Sequence, residues 1–380
     1  MEWKYNMKIA IWGTGKFGKY IYEQIKNRKD DSIVAWIDND LSIVGTKIES
    51  ILVISPQEAQ TRIENDIEMI LVAFIDSVNI YDEINNASEY RYGFIKNIVY
   101  RGKLQLDKNL LSDRNILWSW HNTDLYKPKL QHLETNIVDY CNLNCKGCSH
   151  FSNLFNMGDQ VPYETFCKDL EMLSQKVFVE KLYLLGGEAL LNCQITEYIQ
   201  VARKLLPYTE IELVTNGIMI PNQTDVFFQC CVENDISISI SGYKPTLKIK
   251  DNIQETLEKW DVVYYFRTDV SDFGKNIDLS GEADKNVAVT RCRENQCHFF
   301  RYGRLYKCPF EALANNFFSH YGIDIHFDGG INIYDEDVDW EDVVRRLRDE
   351  PVDSCRYCGV EEKIEWRVEN NPQIEDWIVN

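Results

Sequence analysis

Asn136-Ile-Val-Asp-Tyr-Cys141-Asn-Leu-Asn-Cys145-Lys-Gly-Cys148 is the stretch on which the fold of this chain turns. Its apolar start reads as a strand, and the loop that follows carries three cysteines at Cys-x3-Cys-x2-Cys spacing. Three thiolates so placed can ligate three irons of a four-iron cluster and leave the fourth iron open. Tetrahedral zinc is the alternative, and His150 is the nearby residue that could complete it. Further along, three apolar runs each end in small or polar residues. Residues 182–185 lead into Gly186-Gly187-Glu188-Ala189-Leu190-Leu191, and 211–214 lead into Thr215-Asn216-Gly217. Residues 236–240, which include Ser239, lead into Ser241-Gly242-Tyr243. A parallel α/β barrel places its active site at such strand ends.

Taken in order over residues 134–270, these motifs resemble the radical SAM superfamily. The resemblance implies an α/β fold with a partial (β/α)6 barrel over residues 121–285. It implies a [4Fe-4S] cluster on Cys141, Cys145 and Cys148. S-adenosyl-L-methionine would be held at its amino group by Gly186, Gly187 and Glu188, with Asn216, Ser239 and Ser241 as further contacts. The chemistry implied is one-electron cleavage of that cofactor to a 5'-deoxyadenosyl radical, which abstracts an unactivated hydrogen. A one-electron reductant such as flavodoxin or ferredoxin is the implied partner. The family often has an aromatic residue before the third cysteine, packed on the adenine; here the residue is Gly147.

Residues 297–308, Cys-His-Phe-Phe-Arg-Tyr-Gly-Arg-Leu-Tyr-Lys-Cys, read as a hairpin turning at Tyr302-Gly303, which sets Cys297 opposite Cys308. Cys355-Arg-Tyr-Cys358 follows a helical stretch at 340–347 and adds two thiols. Together Cys297, Cys308, Cys355 and Cys358 can fully ligate a second [4Fe-4S] cluster, with Cys292 as an alternative ligand; structural zinc is the competing occupant. This part resembles the Twitch or SPASM-like extension of radical SAM enzymes, here over residues 286–380 as a β-hairpin plus helix.

The first 120 residues read as a separate domain. The run at 8–12 ends in Gly13-Thr14-Gly15-Lys16-Phe17-Gly18, a helical pattern follows, and the next run, 33–37, ends at Asp38, 20 residues after Gly18. That is the layout of a dinucleotide fold: glycines admit phosphates and the acid meets a ribose. Packing of helix on strand would explain the same glycines without a ligand. Further strands are expected at 51–54, 69–73 and 95–100. With Ile37-Asp38-Asn39-Asp40, Gly45 and Val53-Ile54-Ser55-Pro56, the passage resembles the small Rossmann-like domain of bacterial sugar acyltransferases, which implies a nucleotide sugar as ligand.

Composition bounds the rest. The 380 residues carry 41 Lys plus Arg against 60 Asp plus Glu, a formal charge of −19, which disfavours nucleic acid and anionic membranes as partners. The longest apolar run, 69–75, is far shorter than the ~20 residues of a membrane span, and residues 1–10 lack a signal peptide's apolar stretch. A cytoplasmic protein is expected. There the 12 cysteines remain thiols or metal ligands, and Cys167, Cys193, Cys230 and Cys231, without ligand spacing, are expected in the core. The joint reading is a radical SAM oxidoreductase acting on a small molecule, a sugar linked to a nucleotide, by dehydrogenation or epimerisation in polysaccharide or glycoconjugate biosynthesis. Maturation of a ribosomally made peptide, and a zinc-stabilised scaffold without catalysis, are the alternatives.

Overall fold

The computed structural model describes residues 7–26, 31–62, 66–67, 69–73, 98–100, 127–207, 209–292 and 295–379. The start of the strand expected at 95–100 and all of 101–120 lie outside the described residues. The chain forms two compact units, Met1–Lys129 and Leu130–Asn380. The second holds both the stretch expected as a central core and the one expected as a C-terminal domain.

In the first unit, β1 (Met7–Trp12), β2 (Asp31–Ile37), β3 (Lys47–Ile48), β4 (Ile51–Ile54), β5 (Met69–Val72) and β6 (Ile98–Tyr100) form one sheet in the order β3-β4-β2-β1-β5-β6. All neighbours are parallel except β3, which turns back on β4. Consecutive residues Ile9, Ala10 and Ile11, and Ala35, Trp36 and Ile37, are fully buried, as the apolar runs of a sheet covered on both faces require. From β1 the chain steps outward to β2 and β4 on one side, then crosses back past β1 to β5 on the other. That divergence is the switch point where doubly wound sheets bind ligands.

The second unit is built on β7 (Lys129–Val138), β8 (Phe178–Gly186), β9 (Glu210–Thr215), β10 (Ile236–Gly242) and β11 (Tyr264–Asp269), side by side in chain order. β8 to β11 pair in parallel. Helices Tyr163–Lys176, Ile195–Leu205, Asp225–Glu233 and Lys250–Lys259 intervene. Strand alternation sends Leu133, Ile137, Leu182, Leu184, Ile211, Leu213, Ile236, Ile238 and Ile240 into one core with Phe166, Tyr198 and Phe227 from those helices. Burying each such side chain stabilises the fold by roughly 1.5–3 kcal/mol. The alternate residues, His132, Tyr183, Glu212, Ser239, Tyr265 and Arg267, belong to the opposite, polar face.

The resemblance implied six successive strands, whereas five stand in chain order. A sixth parallel neighbour, β13 (His298–Arg301), joins at the β7 edge instead of beyond β11. It continues antiparallel into β14 (Arg304–Tyr306) and β15 (Ile331–Asn332). β12 (Asp272–Ile277) pairs with β16 (Cys358–Glu365) as a separate two-stranded sheet.

Of the four cysteines expected in the core, Cys230 and Cys231 are buried and Cys167 is half-buried, but Cys193 is exposed. The reason is its neighbour: the Asn192 amide donates to the Ile137 carbonyl (2.6 Å) and its oxygen accepts from the Gln194 N–H (2.9 Å). Asn192 takes the inward position and Cys193 is left outside.

Candidate active site

The cysteine loop leaves the C-terminal end of β7, where Asp139 is anchored by a bidentate ion pair to Arg301 of β13 (2.5 and 2.7 Å). Alongside, the two glycines ending β8 come against the backbone of the same segment. A side chain at Gly186 would meet the Val138 carbonyl at 1.9 Å, and one at Gly187 the Tyr140 carbonyl at 2.1 Å. Instead the Gly187 N–H donates to Val138 (3.1 Å) and the Glu188 N–H to Tyr140 (3.1 Å). The Gly-Gly pair is therefore what lets β8 seat against the residues just before Cys141.

Glu188 is 1% exposed, and its carboxylate collects three protein donors: the Leu190 N–H (3.0 Å), the Thr215 hydroxyl (2.5 Å) and the Asn216 N–H (2.7 Å). Burial raises its pKa above the ordinary carboxylate value, against these bonds, which act to lower it. Asn216 in turn donates from its amide to Asn142 Oδ1 (2.8 Å) and lies 3.9 Å from the Cys141 sulfur. Glu188, Asn216 and Cys141 are thus one connected chain. Thr215, quoted above with the strand-end residues, and Asn142, inside the cysteine spacing, complete it, and nothing local in the sequence singles either out as a contact.

Cys141, Cys145 and Cys148 border a single apolar cluster with Leu143, Ile218, Tyr243, Val270, Phe273 and Trp366. Burial and the neighbouring Glu188 push the Cys141 thiol up to about 12, and burial with the nearby Cys148 pushes Cys145 up to about 12. Trp366 donates its indole N–H to the Cys145 sulfur at 3.2 Å, and Tyr243 stacks on the same indole. Ser241 sits beside Tyr243, whose hydroxyl burial drives above the ordinary tyrosine range. Ser239, fully buried, accepts from Arg267 Nε at 2.7 Å instead of joining this group. Three thiols on one apolar lining, each on the same short loop, are a donor set that fits three irons of a cluster.

The C-terminal cysteines belong to the same unit. Phe299 pairs with Tyr306 and Arg301 with Arg304 around a turn whose residues Tyr302 (φ 47°) and Gly303 (φ 66°) are both left-handed, as a two-residue hairpin turn requires. Continuing that register sets Cys297 opposite Cys308. The thiols of Cys355, Cys308 and Cys292 lie around the buried Lys307, whose ammonium donates to the Leu347 carbonyl and whose pKa burial lowers. Cys358 opens β16 opposite Ile277. Cys292 therefore keeps its place beside Cys297 as a ligand candidate. Among the described residues no group of His, Cys, Asp or Glu has the spacing of a single metal ion; a four-iron cluster holds its ligand sulfurs further apart than one ion does.

In the first unit, Gly13 adopts φ 112° and its N–H donates to Ile37 (2.8 Å). A side chain at Gly18 would come 1.9 Å from the Gly13 carbonyl, so this glycine is required for packing. Gly15, at the start of helix Lys16–Ile25, has open space where a side chain would stand. Asp38 accepts from the Thr14 N–H (3.0 Å) and hydroxyl (2.6 Å) and from the Asp40 N–H (3.0 Å). Partial burial acts to raise its pKa, but the Thr14, Asp40 and Asn39 hydrogen bonds outweigh it and lower the value.

Comparison with known proteins matches residues 135–268 to the radical SAM superfamily and residues 5–91 to the C2185-like N-terminal family. GTP 3',8-cyclase of Alkaliphilus oremlandii is 25% identical over 135 residues, covering 32% of this chain and 38% of that protein. The chain thus spans about two fifths of the length of the curated relatives it matches. The solved structure of BtrN in complex with AdoMet and 2-DOIA aligns with TM-score 0.37 and 17% identity over 60% of this chain and 92% of that one. Native anSMEcpe with bound AdoMet and Cp18Cys peptide aligns with TM-score 0.30 and 18% identity over 37% and 42%. Among the described residues no helix is long and apolar enough to cross a membrane. With the Cys-x3-Cys-x2-Cys loop and the Gly-Gly-Glu turn bonded together inside the matched stretch, residues 135–268 constitute a radical SAM superfamily domain.

Proposed function

We propose that this chain is a radical SAM oxidoreductase that removes hydrogen from a small hydroxylated molecule, a nucleotide-linked sugar, by oxidation or epimerisation. The observation that carries the reading is the joining of the cysteine loop, the Gly-Gly-Glu turn and the end of β9 into one hydrogen-bonded group. Cys141, Cys145 and Cys148 would hold a four-iron cluster, and the Gly186 to Glu188 turn with Asn216 and Ser241 would hold S-adenosylmethionine. When bound, the two supply hydrogen-abstracting radical chemistry.

The chain's own residues provide the rest. Glu188 Oε2 accepts one protein hydrogen bond and keeps acceptor capacity for an ammonium. The polar sheet face, with Tyr265 bonded to Glu212 (2.5 Å), Lys181 paired to the same carboxylate and Arg267 over the Tyr183 ring, suits a substrate rich in hydroxyls or charge. Cys297 or Cys292, with Cys308, Cys355 and Cys358, would ligate a second cluster, able to accept an electron when the substrate is oxidised. The Rossmann-like first unit would bind a nucleotide at the Gly13–Gly18 turn, and an external one-electron reductant would supply the first cluster.

Anaerobic reconstitution tests the whole. Protein should carry about eight irons, four per cluster, and replacing Cys141, Cys145 and Cys148 together should leave about half. With reductant, it should release 5'-deoxyadenosine from S-adenosylmethionine, faster with a uridine-diphosphate sugar than without. Iron near zero with stoichiometric zinc would end the reading. Stimulation by GTP in place of any sugar would move the substrate toward that of the curated relatives.

A further inference from the structure

Resting on the first-cluster assignment above, one contact has no counterpart in the cysteine motif. The pairing of β12 with β16, Phe273 opposite Ile364 and Asp272 opposite Glu365, delivers the following residues onto the cysteine loop. The Lys146 N–H donates to the Arg367 carbonyl (2.9 Å), the Glu369 N–H to Asn144 (2.8 Å), and Cys145 bridges Val368. Lys146 pairs with Asp376 (3.2 Å), and the Trp377 indole donates to the Cys148 carbonyl (2.8 Å). A side chain at Gly147 would strike Ile364 at 2.6 Å and the Asp376 carbonyl at 2.7 Å. The C-terminal segment is therefore a clasp that occupies the ground around Gly147. Within it, Trp366 is 3% exposed, is fixed by its own N–H to the Ser271 carbonyl (3.0 Å), and aims its indole N–H at the Cys145 sulfur.

We propose that Trp366 is a positioning residue for the first cluster: its indole N–H bonds the Cys145 thiolate and raises the cluster's reduction potential. A hydrogen bond to a cluster sulfur strengthens as electron density on sulfur increases, so it favours the reduced state. Burial removes water as a competing donor and enlarges the effect. Tyr243, stacked on the indole with centroids 5.2 Å apart, keeps the ring in its plane.

The test is a potentiometric titration of the reconstituted full chain followed by electron paramagnetic resonance, reading the signal that changes on adding S-adenosylmethionine. Trp366→Phe keeps an aromatic ring but no donor and should hold the same iron with a more negative midpoint. Trp366→His, whose Nε2 stands at the same ring position as the indole nitrogen, should return the midpoint toward wild type. Full iron with an unchanged midpoint in Trp366→Phe overturns the proposal. Should that variant not load, wild-type protein labelled with 15N in its indoles decides instead. Hyperfine coupling of one labelled nitrogen to the reduced cluster is expected, and its absence overturns the proposal. A wild-type chain without any cluster responsive to S-adenosylmethionine would overturn the cluster assignment itself, which the iron content reports separately.

Discussion

Glu188 has a structural role that stands apart from the proposed binding of S-adenosylmethionine. Three donors from its own chain, Leu190, Thr215 and Asn216, already converge on it, so it fastens the end of β9 to the turn after β8 before any ligand arrives. Glu188→Gln replaces one oxygen by an NH2 group, which faces protein N–H donors and leaves at least one of them unpaired. A stability loss of roughly 1–3 kcal/mol is expected in denaturant melts. Affinity for S-adenosylmethionine should fall about tenfold or more, as expected for loss of a charge-assisted contact of roughly 1.5–3 kcal/mol, without loss of iron. Equal stability with equal affinity in calorimetry would remove Glu188 from both roles. The motif made this residue legible in the sequence. Its partner hydroxyl on Thr215 was not, because a hydrogen bond across two strands leaves no spacing to read.

At the scale of the element, the strand-turn-helix at the start of the chain separates a packing glycine from a candidate binding one. Gly18→Ala should destabilise the first unit, since the added carbon falls 1.9 Å from a backbone oxygen. Gly15→Val has open space and an ordinary backbone conformation, so the fold should tolerate it, whereas a phosphate resting on the turn would be obstructed. Calorimetry of the full chain with uridine-diphosphate sugars and NAD should show binding to wild type and none to Gly15→Val at matched melting temperature. Equal binding would make the turn purely structural. Strand and helix positions here were readable because apolar periodicity is local. Asp38 was readable as a strand-end acid, but its lock onto Thr14 was not, nor was the exposure of Cys193, which depends on what Asn192 bonds. The C-terminal clasp lay furthest from view: Trp366 and Cys145 are 221 residues apart, and nothing local in either segment names the other.

Across the second unit, β16 connects the two groups of cysteines. It starts at Cys358 and runs eight residues to Glu365, directly before the Trp366 that bonds Cys145. At ~3.3 Å per residue that is on the order of 25 Å of strand. A second cluster on Cys355 and Cys358 would therefore stand apart from the first. With four thiolate ligands it would have no iron left for substrate, which leaves it electron transfer or a structural role. Oxidation of a substrate radical needs such an acceptor, whereas cleavage of S-adenosylmethionine does not. Replacing Cys355 and Cys358 by Ala should thus preserve the first cluster, seen as the signal that responds to S-adenosylmethionine, and slow release of 5'-deoxyadenosine, while oxidised product disappears. The measurement is a product assay after anaerobic reconstitution, with iron counted in the same samples so that a misfolded variant is not mistaken for one that has lost electron transfer. Normal turnover by the double variant would make the C-terminal site structural and favour a redox-neutral epimerisation. Absence of an oxidised carbon even with wild type would dismiss dehydrogenation altogether.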